Sequence, residues 1–335
     1  MKDWIISFVV IARNAASTLP RLLESLDAQT WPHDRMEILL VDGFSEDGTR
    51  KVMEAYAARN DFLRTLVLDN PGRNLPSGWN VALARAAGEA VLRVDAHAFF
   101  PPDFVARSAA ALEKGEDICG GKVISVPARK TPWSLTLNEA ENSMFGGSFA
   151  AFRHADEARY VSTAAFAIYR RKIFGEVGPY NESLTRTEDN EMHYRMKKAG
   201  YRFWYDPAIV SWRETRSTLG KLLKQKYLNG YWIGRTLGVE PRCFSLYHFV
   251  PFCFVLAVLL TAVLALAGFT LPCALLWIAY AAAALGMTAV AIAGAKERNA
   301  LSLCLPVLFL LLHVSYGFGT MVGILSLLWK KVPKK

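Results

Sequence analysis

The sequence predicts an α/β domain built on a mostly parallel sheet, followed by an α-helical transmembrane region. Two observations predict this order. In the first part of the 335-residue chain, short apolar runs rich in β-branched residues alternate with stretches whose apolar residues recur at helical spacing. After residue 248, three uncharged apolar stretches are each long enough to cross a bilayer core of roughly 30 Å. With 52% apolar residues, the chain is long enough for both parts.

Four strands and three helices are predicted in the first part. Each strand is a short apolar run that ends in a polar turn. After three of these turns, cap residues or apolar residues at helical spacing predict a helix. The predicted strands are Ile5–Ile11, Glu37–Val41, Leu66–Leu68 and Ala90–Val94, and the predicted helices lie near Leu19–Leu26, Arg50–Arg59 and Trp79–Ala87. Because strands and helices alternate through short connections, ligands are expected at the carboxyl ends of the strands.

Polar side chains follow two of these strand ends. Asp42 comes directly after one strand, where its carboxylate can accept hydrogen bonds from a nucleobase N–H or a ribose hydroxyl. Asp95 and His97 follow another strand and point to the same side, because side chains alternate along an extended chain, so they can hold one divalent cation. The simpler interpretation makes Asp42 and Asp95 turn residues and His97 a packing histidine.

Acidic residues also open a predicted helix near residue 190. The segment TEDNE, which begins at Thr187, precedes the helical pattern EMHYRMKKAG. A carboxylate held at a fixed helix start, Glu188 or Asp189, can take the proton from an acceptor hydroxyl that attacks a sugar carbon. The simpler interpretation is that both acids cap the helix and interact with its dipole.

Composition and missing motifs exclude other classes of protein. No glycine-rich phosphate loop of the Walker or dinucleotide type occurs, which disfavours kinases and dehydrogenases. A nucleotidyltransferase would need a basic loop near the N-terminus, where the sequence has Arg13 alone. The five cysteines show neither disulfide nor metal spacing, which fits a reducing compartment. The net charge of +9 is attributed to membrane flanks rather than nucleic-acid binding, because the part from Phe249 holds six Lys/Arg and one Glu.

The C-terminal part is predicted to anchor the chain in a membrane. The predicted spans are Phe249–Phe269, Cys273–Ala295 and Leu301–Trp329, followed by a basic tail at 330–335. Residues 217–248 are predicted to form an interfacial amphipathic helix and a linker, with a core-facing helix as an equal alternative. The apolar run at the N-terminus has no cleavage site, so the domain at 1–216 is expected in the cytosol.

The distribution of basic residues predicts a break in the third span. Two crossings return Lys296–Arg298 to the cytosol, as the positive-inside tendency expects, but a third full crossing would place the four C-terminal lysines outside. We therefore predict a re-entrant or kinked element within His313–Gly319, where polar groups and glycines can bend a helix. One long tilted helix with an external basic tail is the alternative.

An ordered set of motifs resembles the family 2 glycosyltransferases of the GT-A fold. These motifs extend from about Ser7 to Gly238 and read VVIARN with LPRLLESLDAQ, EILLVDGFSEDGT, GWNVALARAAGEAVLRVDAH and TEDNEMHYRMKKAGYRFWYDP. The RVDAH and TEDNE variants, the segment KQKYLNGYW and the apolar C-terminal region are most similar to those of membrane-bound succinoglycan-biosynthesis glycosyltransferases, which extend lipid-linked exopolysaccharide repeats.

The resemblance implies a role for each matching residue. Ala12, Arg13 and Asn14 match the first nucleotide-binding loop, and Asp42 matches the acid that contacts the nucleoside. Asp95 with His97 matches the Asp-x-Asp metal motif. Asp189 matches the catalytic base of the inverting enzymes, with Glu188 beside it.

Three features depart from the family pattern. The common VDDGS turn is VDGFS here, so Gly43 and Phe44 remove one nucleotide-side carboxylate. His97 replaces the usual second Asp, which leaves the choice between Mn²⁺ and Mg²⁺ open because a histidine nitrogen is a softer ligand than a carboxylate oxygen. Gln225 and Trp232 loosely match the Gln-x-x-Arg-Trp motif of processive synthases, but the spacing differs and the Arg is absent. We therefore expect the enzyme to add a single sugar, and both residues are candidates for contacts on the acceptor or donor side.

The resemblance thus implies an inverting, metal-dependent transfer of a hexose from a nucleotide sugar, expected to be a UDP-sugar, to a hydroxyl of a lipid-linked saccharide in exopolysaccharide biosynthesis. The expected partners are the donor, this acceptor and membrane lipid, without nucleic acid, at a bacterial inner membrane with the catalytic domain in the cytoplasm. Two alternatives stay open. A polyprenyl-phosphate monosaccharide synthase would add the sugar to a lipid phosphate, and a non-catalytic scaffold would bind nucleotide within a polysaccharide assembly complex.

Overall fold

The computed structural model describes residues 4–59, 61–147, 155–295 and 299–329. They belong to two compact units, of which the first comprises Met1–Ile124 and Ala150–Glu214 and the second Ser125–Phe149 and Thr215–Lys335. The sequence predicts that residues 125–147 belong to the catalytic domain, whereas in the structure they belong to the second unit. The reason is apolar packing, because Leu137 of this segment is buried in one cluster with Phe309.

The described strands form a mixed sheet with a parallel half. Their bounds are β1 Ile6–Ala12, β2 Met36–Asp42, β3 Arg64–Asp69, β4 Ala90–Asp95, β5 Ala98–Phe99, β6 Ile118–Pro127, β7 Arg159–Val161, β8 Ile168–Arg170 and β9 Phe203–Thr215. The order is β3-β2-β1-β4-β8-β6-β9-β5, and β7 pairs with β9. The ladders among β1 to β4 are parallel and pair six or seven residues each, whereas β4–β8, β5–β9, β6–β8 and β7–β9 are antiparallel and pair two or three. The predicted α/β class and mostly parallel sheet are confirmed.

The helices of the described residues follow the predicted alternation. Their bounds are α1 Leu19–Asp27, α2 Thr49–Ala57, α3 Leu75–Arg85, α4 Phe104–Glu113, α5 Pro132–Asn142, α6 Lys172–Val177, α7 Glu188–Lys198, α8 Leu219–Thr236, α9 Val250–Leu266, α10 Leu271–Gly294 and α11 Leu305–Ser326. Helix α3 starts four residues before its predicted start at Trp79. The Asn74 side chain caps it by accepting the Ser77 N–H at 2.9 Å, and Pro76 suits the first turn.

Both faces of β1, β2 and β4 are largely buried, because alternate side chains enter two different cores, whereas the edge strand β3 is only partly buried. On one face, Phe8 and Ile38 pack with the leucines of α1. On the other face, Val9 and Leu39 pack with Trp79 of α3 and with Met192 of α7. The continuous apolar runs of these strands and the helical spacing of the leucines in α1 are therefore explained by burial in these cores.

The second unit contains α5 and α8 to α11. Among the described residues, three helices are long and apolar enough to cross a membrane, namely Leu246–Leu266, Leu271–Gly294 and Ala300–Ser326. Every boundary lies within three residues of the predicted spans. The basic residues at 296–298 and the tail at 330–335, on which the predicted topology depends, lie outside the described residues.

The re-entrant element predicted within His313–Gly319 is wrong, because α11 runs without interruption from Leu305 to Ser326, and the alternative of a kink in this helix stays a prediction. The glycines of α11 allow close approach of a neighbouring helix. A Cβ on Gly319 would overlap the carbonyl oxygen of Tyr227, and one on Gly323 would overlap that of Tyr231. Small residues four apart are typical of close packing between membrane helices.

Helix α8 meets α11 with a matching pair of glycines. A Cβ on Gly230 would overlap the carbonyl oxygen of Tyr316, and one on Gly234 would overlap that of Thr320. Leu222, nearer the start of α8, is buried in one cluster with Leu308 and Leu312 of α11. The face of α8 that sequence analysis assigns to the bilayer surface thus packs, at Leu222, against a neighbouring helix.

Candidate active site

The carboxyl ends of the parallel strands bring five of the predicted residues to one edge of the sheet. In the β1–β2 ladder Ala12 is paired with Asp42, and in the β1–β4 ladder Ile11 is paired with Asp95. Asp42 is also paired with Asp69 at the end of β3, a carboxylate that sequence analysis missed. Arg13 and Asn14 follow β1 directly, so the first-loop residues and both acids lie at the edge where ligands bind in such sheets.

The loops after β1 and β2 hold each other through hydrogen bonds. The Asn14 backbone N–H donates to Ser45 Oγ at 2.9 Å, and Asn14 Oδ1 accepts the backbone N–H of Glu46 at 2.9 Å. The backbone N–H of Ala16 donates to Asp47 Oδ2 at 3.0 Å. The pKa of the Asp47 carboxyl is lowered, mainly because the Thr49 hydroxyl donates a hydrogen bond to it. Asn14 therefore shapes this loop pair through both its backbone and its side chain.

Asp42 stabilises the turn that follows it. Its side chain is buried, and Oδ1 and Oδ2 lie 3.2 and 3.3 Å from the backbone nitrogen of Ser45, which donates to them. It also borders a cavity of about 460 Å³, together with Phe44, Asp69 and Arg73. A turn role and a ligand role are compatible here, because a carboxylate has about four acceptor positions.

Asp95 and His97 lie where β4 turns into β5. Both side chains are partly exposed and they alternate with the buried Ala96, as the alternation along the chain predicts. The carbonyl of His97 accepts the backbone N–H of Glu214 at 3.0 Å, which places Glu214 of β9 opposite His97. Glu214 in turn pairs with Arg21 at 3.1 Å. Sequence analysis missed Glu214, because its position depends on strand pairing between residues far apart in the chain.

Glu188 and Asp189 form the first turn of α7, but Glu188 is buried and Asp189 is partly exposed. The preceding Thr187 makes no side-chain cap hydrogen bond, and Asp189 Oδ1 accepts the backbone N–H of Asn190 at 2.8 Å. Burial, and then the charge of Asp189, raises the pKa of the Glu188 carboxyl to about 8, with Arg93 acting in the opposite direction. The charge of Asp95 adds to the rise, so the acids of β4 and α7 interact.

Arg93 connects these acids and is a further residue that sequence analysis missed. Its Nη2 lies 3.1 Å from Glu188 Oε1, and its guanidinium carbon lies 5.1 Å from the ring centroid of Trp79. Burial opposes its charge, but the pKa of the guanidinium is raised, because Tyr180, Glu188 and Asp189 favour the cation. A signal was present in the sequence, because a charged residue inside the apolar strand AVLRVD needs a buried partner.

Gln225 and Trp232 lie on α8 in the second unit, whereas the other candidate residues lie in the first. They are seven residues apart, so they share one side of the helix. Gln225 Oε1 accepts a hydrogen bond from Arg216 Nε at 3.0 Å. Both side chains are partly exposed.

Comparison with known proteins gives three consistent results. The family described as Glycosyl transferase family 2 matches residues 7–178. The succinoglycan biosynthesis protein ExoA of Rhizobium meliloti is 32% identical over 234 residues, which are 68% of this chain and 68% of that protein. A Methanococcus voltae protein, named dolichyl N-acetyl-alpha-D-glucosaminyl phosphate 3-beta-D-2,3-diacetamido-2,3-dideoxy-beta-D-glucuronosyltransferase, is 25% identical over 321 residues, which are 93% of this chain and 95% of that protein.

Among solved structures, the mannosyltransferase of Pyrobaculum calidifontis in complex with GDP-Man and Mn²⁺ has a TM-score of 0.57 to this chain. It is 19% identical, and the similarity covers 97% of this chain and 87% of that one. At this level of identity the two proteins share a fold.

Proposed function

Because this chain belongs to glycosyl transferase family 2 and has the GT-A fold, it is a glycosyltransferase, and we propose that it transfers a hexose from a nucleotide sugar to a hydroxyl of a lipid-linked saccharide. The proposal includes inversion at the sugar carbon, a divalent cation and a UDP-sugar donor, as the sequence resemblance implies. The predicted family, fold and enzyme class are confirmed by the comparisons.

One observation supports the proposal in addition to the family membership. The acid at the end of β4 and the acids at the start of α7 belong to one charge cluster, because Asp95 and Asp189 both raise the pKa of Glu188. A glycosyl transfer needs charge control at the leaving group and a base at the attacking hydroxyl. Asp95 and Asp189 supply acids for these two tasks within one cluster.

A divalent cation fits Asp95 and His97 by the chemistry of their donor atoms. Carboxylate oxygen and imidazole nitrogen are both ligands of Mn²⁺, and both side chains reach solvent. The described part of the chain contains no cluster of three ligands, so the diphosphate of the donor and water would complete the coordination, as is usual for nucleotide-bound Mg²⁺. When bound, the cation would supply positive charge at the leaving diphosphate.

The general base is proposed to be Asp189 rather than Glu188. The Glu188 side chain is 3% exposed and is held in an ion pair by Arg93, so it cannot reach an acceptor without a rearrangement. Asp189 is partly exposed in the first turn of α7. We propose that the Asp189 carboxylate takes the proton from the acceptor hydroxyl as that oxygen attacks the sugar carbon, while Arg93 and Glu188 hold the start of α7.

The donor side is proposed to lie at the ends of β1 and β2. The linked loops of Ala12, Arg13 and Asn14 surround the nucleotide there, and Asp42 accepts hydrogen bonds from its nucleoside. Gln225 and Trp232 on α8 are kept as proposed contacts to the acceptor or the donor.

The acceptor is proposed to be lipid-linked, since the three apolar helices would anchor the enzyme in the membrane that holds such a substrate. Two relatives support this choice. One is named for succinoglycan biosynthesis, and the name of the other contains a dolichyl sugar phosphate. We place the enzyme in a bacterial inner membrane, with its catalytic unit in the cytoplasm and its role in exopolysaccharide biosynthesis.

The experiment is a donor screen with the full chain in membranes. Membranes with the wild-type chain or with Asp189→Asn are incubated with labelled UDP-, GDP- and dTDP-hexoses and a lipid extract from an exopolysaccharide-producing strain. We expect one labelled sugar to enter the organic phase with the wild type and about 10²- to 10⁴-fold more slowly with the variant. No transfer from any donor, together with no nucleotide-sugar hydrolysis, would support a scaffold instead.

A further inference from the structure

Phe44 has a backbone conformation that aromatic residues rarely adopt. Its φ is +57°, in the left-handed region that glycine, and less often Asn or Asp, occupies. Arg73, on the border of the same cavity, has a φ of +52°. A bulky residue persists in this region where the surrounding structure or the function of a site requires it.

The folded protein gains little from the ring of Phe44. The side chain is 43% exposed, so much of the free energy available from its burial is not realised. The ring contacts the guanidinium of Arg73, whose carbon lies 5.1 Å from the ring centroid, and such contacts are weak at exposed positions. The strain at Phe44 therefore lacks a matching gain in packing, which points to a ligand.

The cavity beside Phe44 fits a planar heterocycle. Its volume is about 460 Å³, and its border includes an aromatic ring, the carboxylates of Asp42 and Asp69, and the guanidinium of Arg73. A stacked ring with N–H groups would use both the aromatic face and the acceptor oxygens. The border also carries Glu46 and Arg50, and the Arg50 guanidinium pairs with Asp69. Three carboxylates thus face two guanidinium groups, so the border offers a bare diphosphate no net positive charge.

Position 43 offers the cavity no side chain of its own. Gly43 has no side chain, and a Cβ there would lie 3.1 Å from Cβ of Arg13, so the Arg13 stem covers the place of the carboxylate in the VDDGS pattern. Of the two residues that replace the Asp-Gly of that pattern, Phe44 alone presents a side chain to the cavity.

We infer that Phe44 stacks on the nucleobase of the donor and that this contact is the reason for the strained residue. The inference rests on the proposed function, because it takes the ligand to be a nucleotide sugar. It assigns the recognition of the base at this loop to an aromatic face, with Arg73 on the border of the same cavity.

The inference predicts opposite effects on stability and on binding. Phe44→Gly relieves the left-handed strain, so the thermal midpoint of the protein should rise or stay unchanged. The affinity for UDP should fall roughly 5- to 150-fold, the range that corresponds to the loss of one base–aromatic stack. A purely structural role would instead lower the thermal midpoint.

The test uses the detergent-solubilised full chain with Mn²⁺ and isothermal titration. UDP and GDP are the probes with a base, and inorganic diphosphate is the probe without one. Phe44→Leu keeps an apolar side chain and the strain but removes the aromatic face, and Phe44→Tyr restores that face. We expect weaker UDP binding by Phe44→Gly and Phe44→Leu, near-normal binding by Phe44→Tyr, and unchanged diphosphate binding by all three.

Two results would overturn the inference while the proposed function stands. One is a wild type that binds UDP or GDP and a Phe44→Leu variant that binds it equally well. The other is an equal loss of diphosphate and nucleotide affinity, which would indicate a general disturbance of the loop. If the wild type binds neither nucleotide, the proposed function and the inference fail together.

Discussion

Replacing Arg93 by methionine should destabilise the first unit strongly. The Arg93 side chain is 12% exposed and its partner Glu188 is 3% exposed. Above pH 8, where the Glu188 carboxyl is ionised, loss of the cation would leave this carboxylate buried without a compensating charge and close to Asp189, which already raises its pKa. Breaking one side of a buried ion pair costs about 3–5 kcal/mol, and the volume of methionine keeps the added cavity small.

The assay is thermal unfolding of the detergent-solubilised chain at about pH 9, above the raised pKa of Glu188, followed by near-ultraviolet circular dichroism. For a unit of this size, about 1 kcal/mol corresponds to roughly 2–4 °C, so the midpoint of Arg93→Met should fall by about 6–20 °C. The matched control is Arg93→Met with Glu188→Gln, in which the uncompensated charge is also removed. We expect this double variant to recover at least half of the loss.

Two outcomes would refute the reasoning on Arg93. A loss of less than about 2 °C in Arg93→Met would mean that the ion pair contributes little to stability. A double variant as unstable as the single one would mean that packing of Arg93 against Trp79, and not its charge, explains the effect.

Four further predictions concern the base, the metal, pH and the helix contact. Asp189→Asn should lower turnover about 10²- to 10⁴-fold with nearly unchanged donor binding, and an inactive Glu188→Gln beside an active Asp189→Asn would identify the other carboxylate as the base. Chelation of divalent cations, or Asp95→Asn, should abolish transfer while the thermal midpoint is kept, and undiminished transfer in chelator would remove the metal. Because the pKa of Glu188 is raised, its contribution to stability is fully present below about pH 4.5, where the carboxyl is protonated, and is lost as the pH rises towards 8. The thermal midpoint of Glu188→Gln should therefore rise relative to that of the wild type between these pH values. Gly319→Ala should lower the midpoint of the second unit because its Cβ overlaps the Tyr227 carbonyl, whereas Gly286→Ala, whose Cβ meets nothing within 4 Å, should be neutral or stabilising.

Local patterns are sufficient to predict the strand ends and the apolar helices. Asp42 and Asp95 can be placed at the edge of the sheet, because a short apolar run followed by a polar turn marks the end of a buried strand. Three membrane-length helices follow from uncharged runs alone. Both features depend on neighbours in sequence.

Long-range contacts decide what these patterns leave open. The charge of Arg93 inside a strand signals a buried partner, but that partner, Glu188, is 95 residues away and is positioned by the fold. Glu214 lies opposite His97 because β5 pairs with β9. The strain at Phe44 appears only in its backbone angle.

The glycines of α11 show how one pattern can have two structural meanings. A glycine in an apolar helix permits a bend, and it also permits a neighbouring helix to approach. In this chain α8 supplies that neighbour, and its own glycines match those of α11. A segment that reads as a hinge in one sequence is therefore a contact in the folded unit.

The central claim is transfer of a hexose to a sugar hydroxyl of a lipid-linked acceptor with inversion. The most direct measurement is the structure of the product formed by the full chain in membranes, with the attachment site determined by mass spectrometry and the anomeric configuration by NMR. We expect one added hexose on a saccharide oxygen, with the configuration opposite to that of the donor, and a strong reduction of this product in Asp189→Asn. A hexose attached directly to a lipid phosphate, or a product that retains the configuration of the donor, would contradict it.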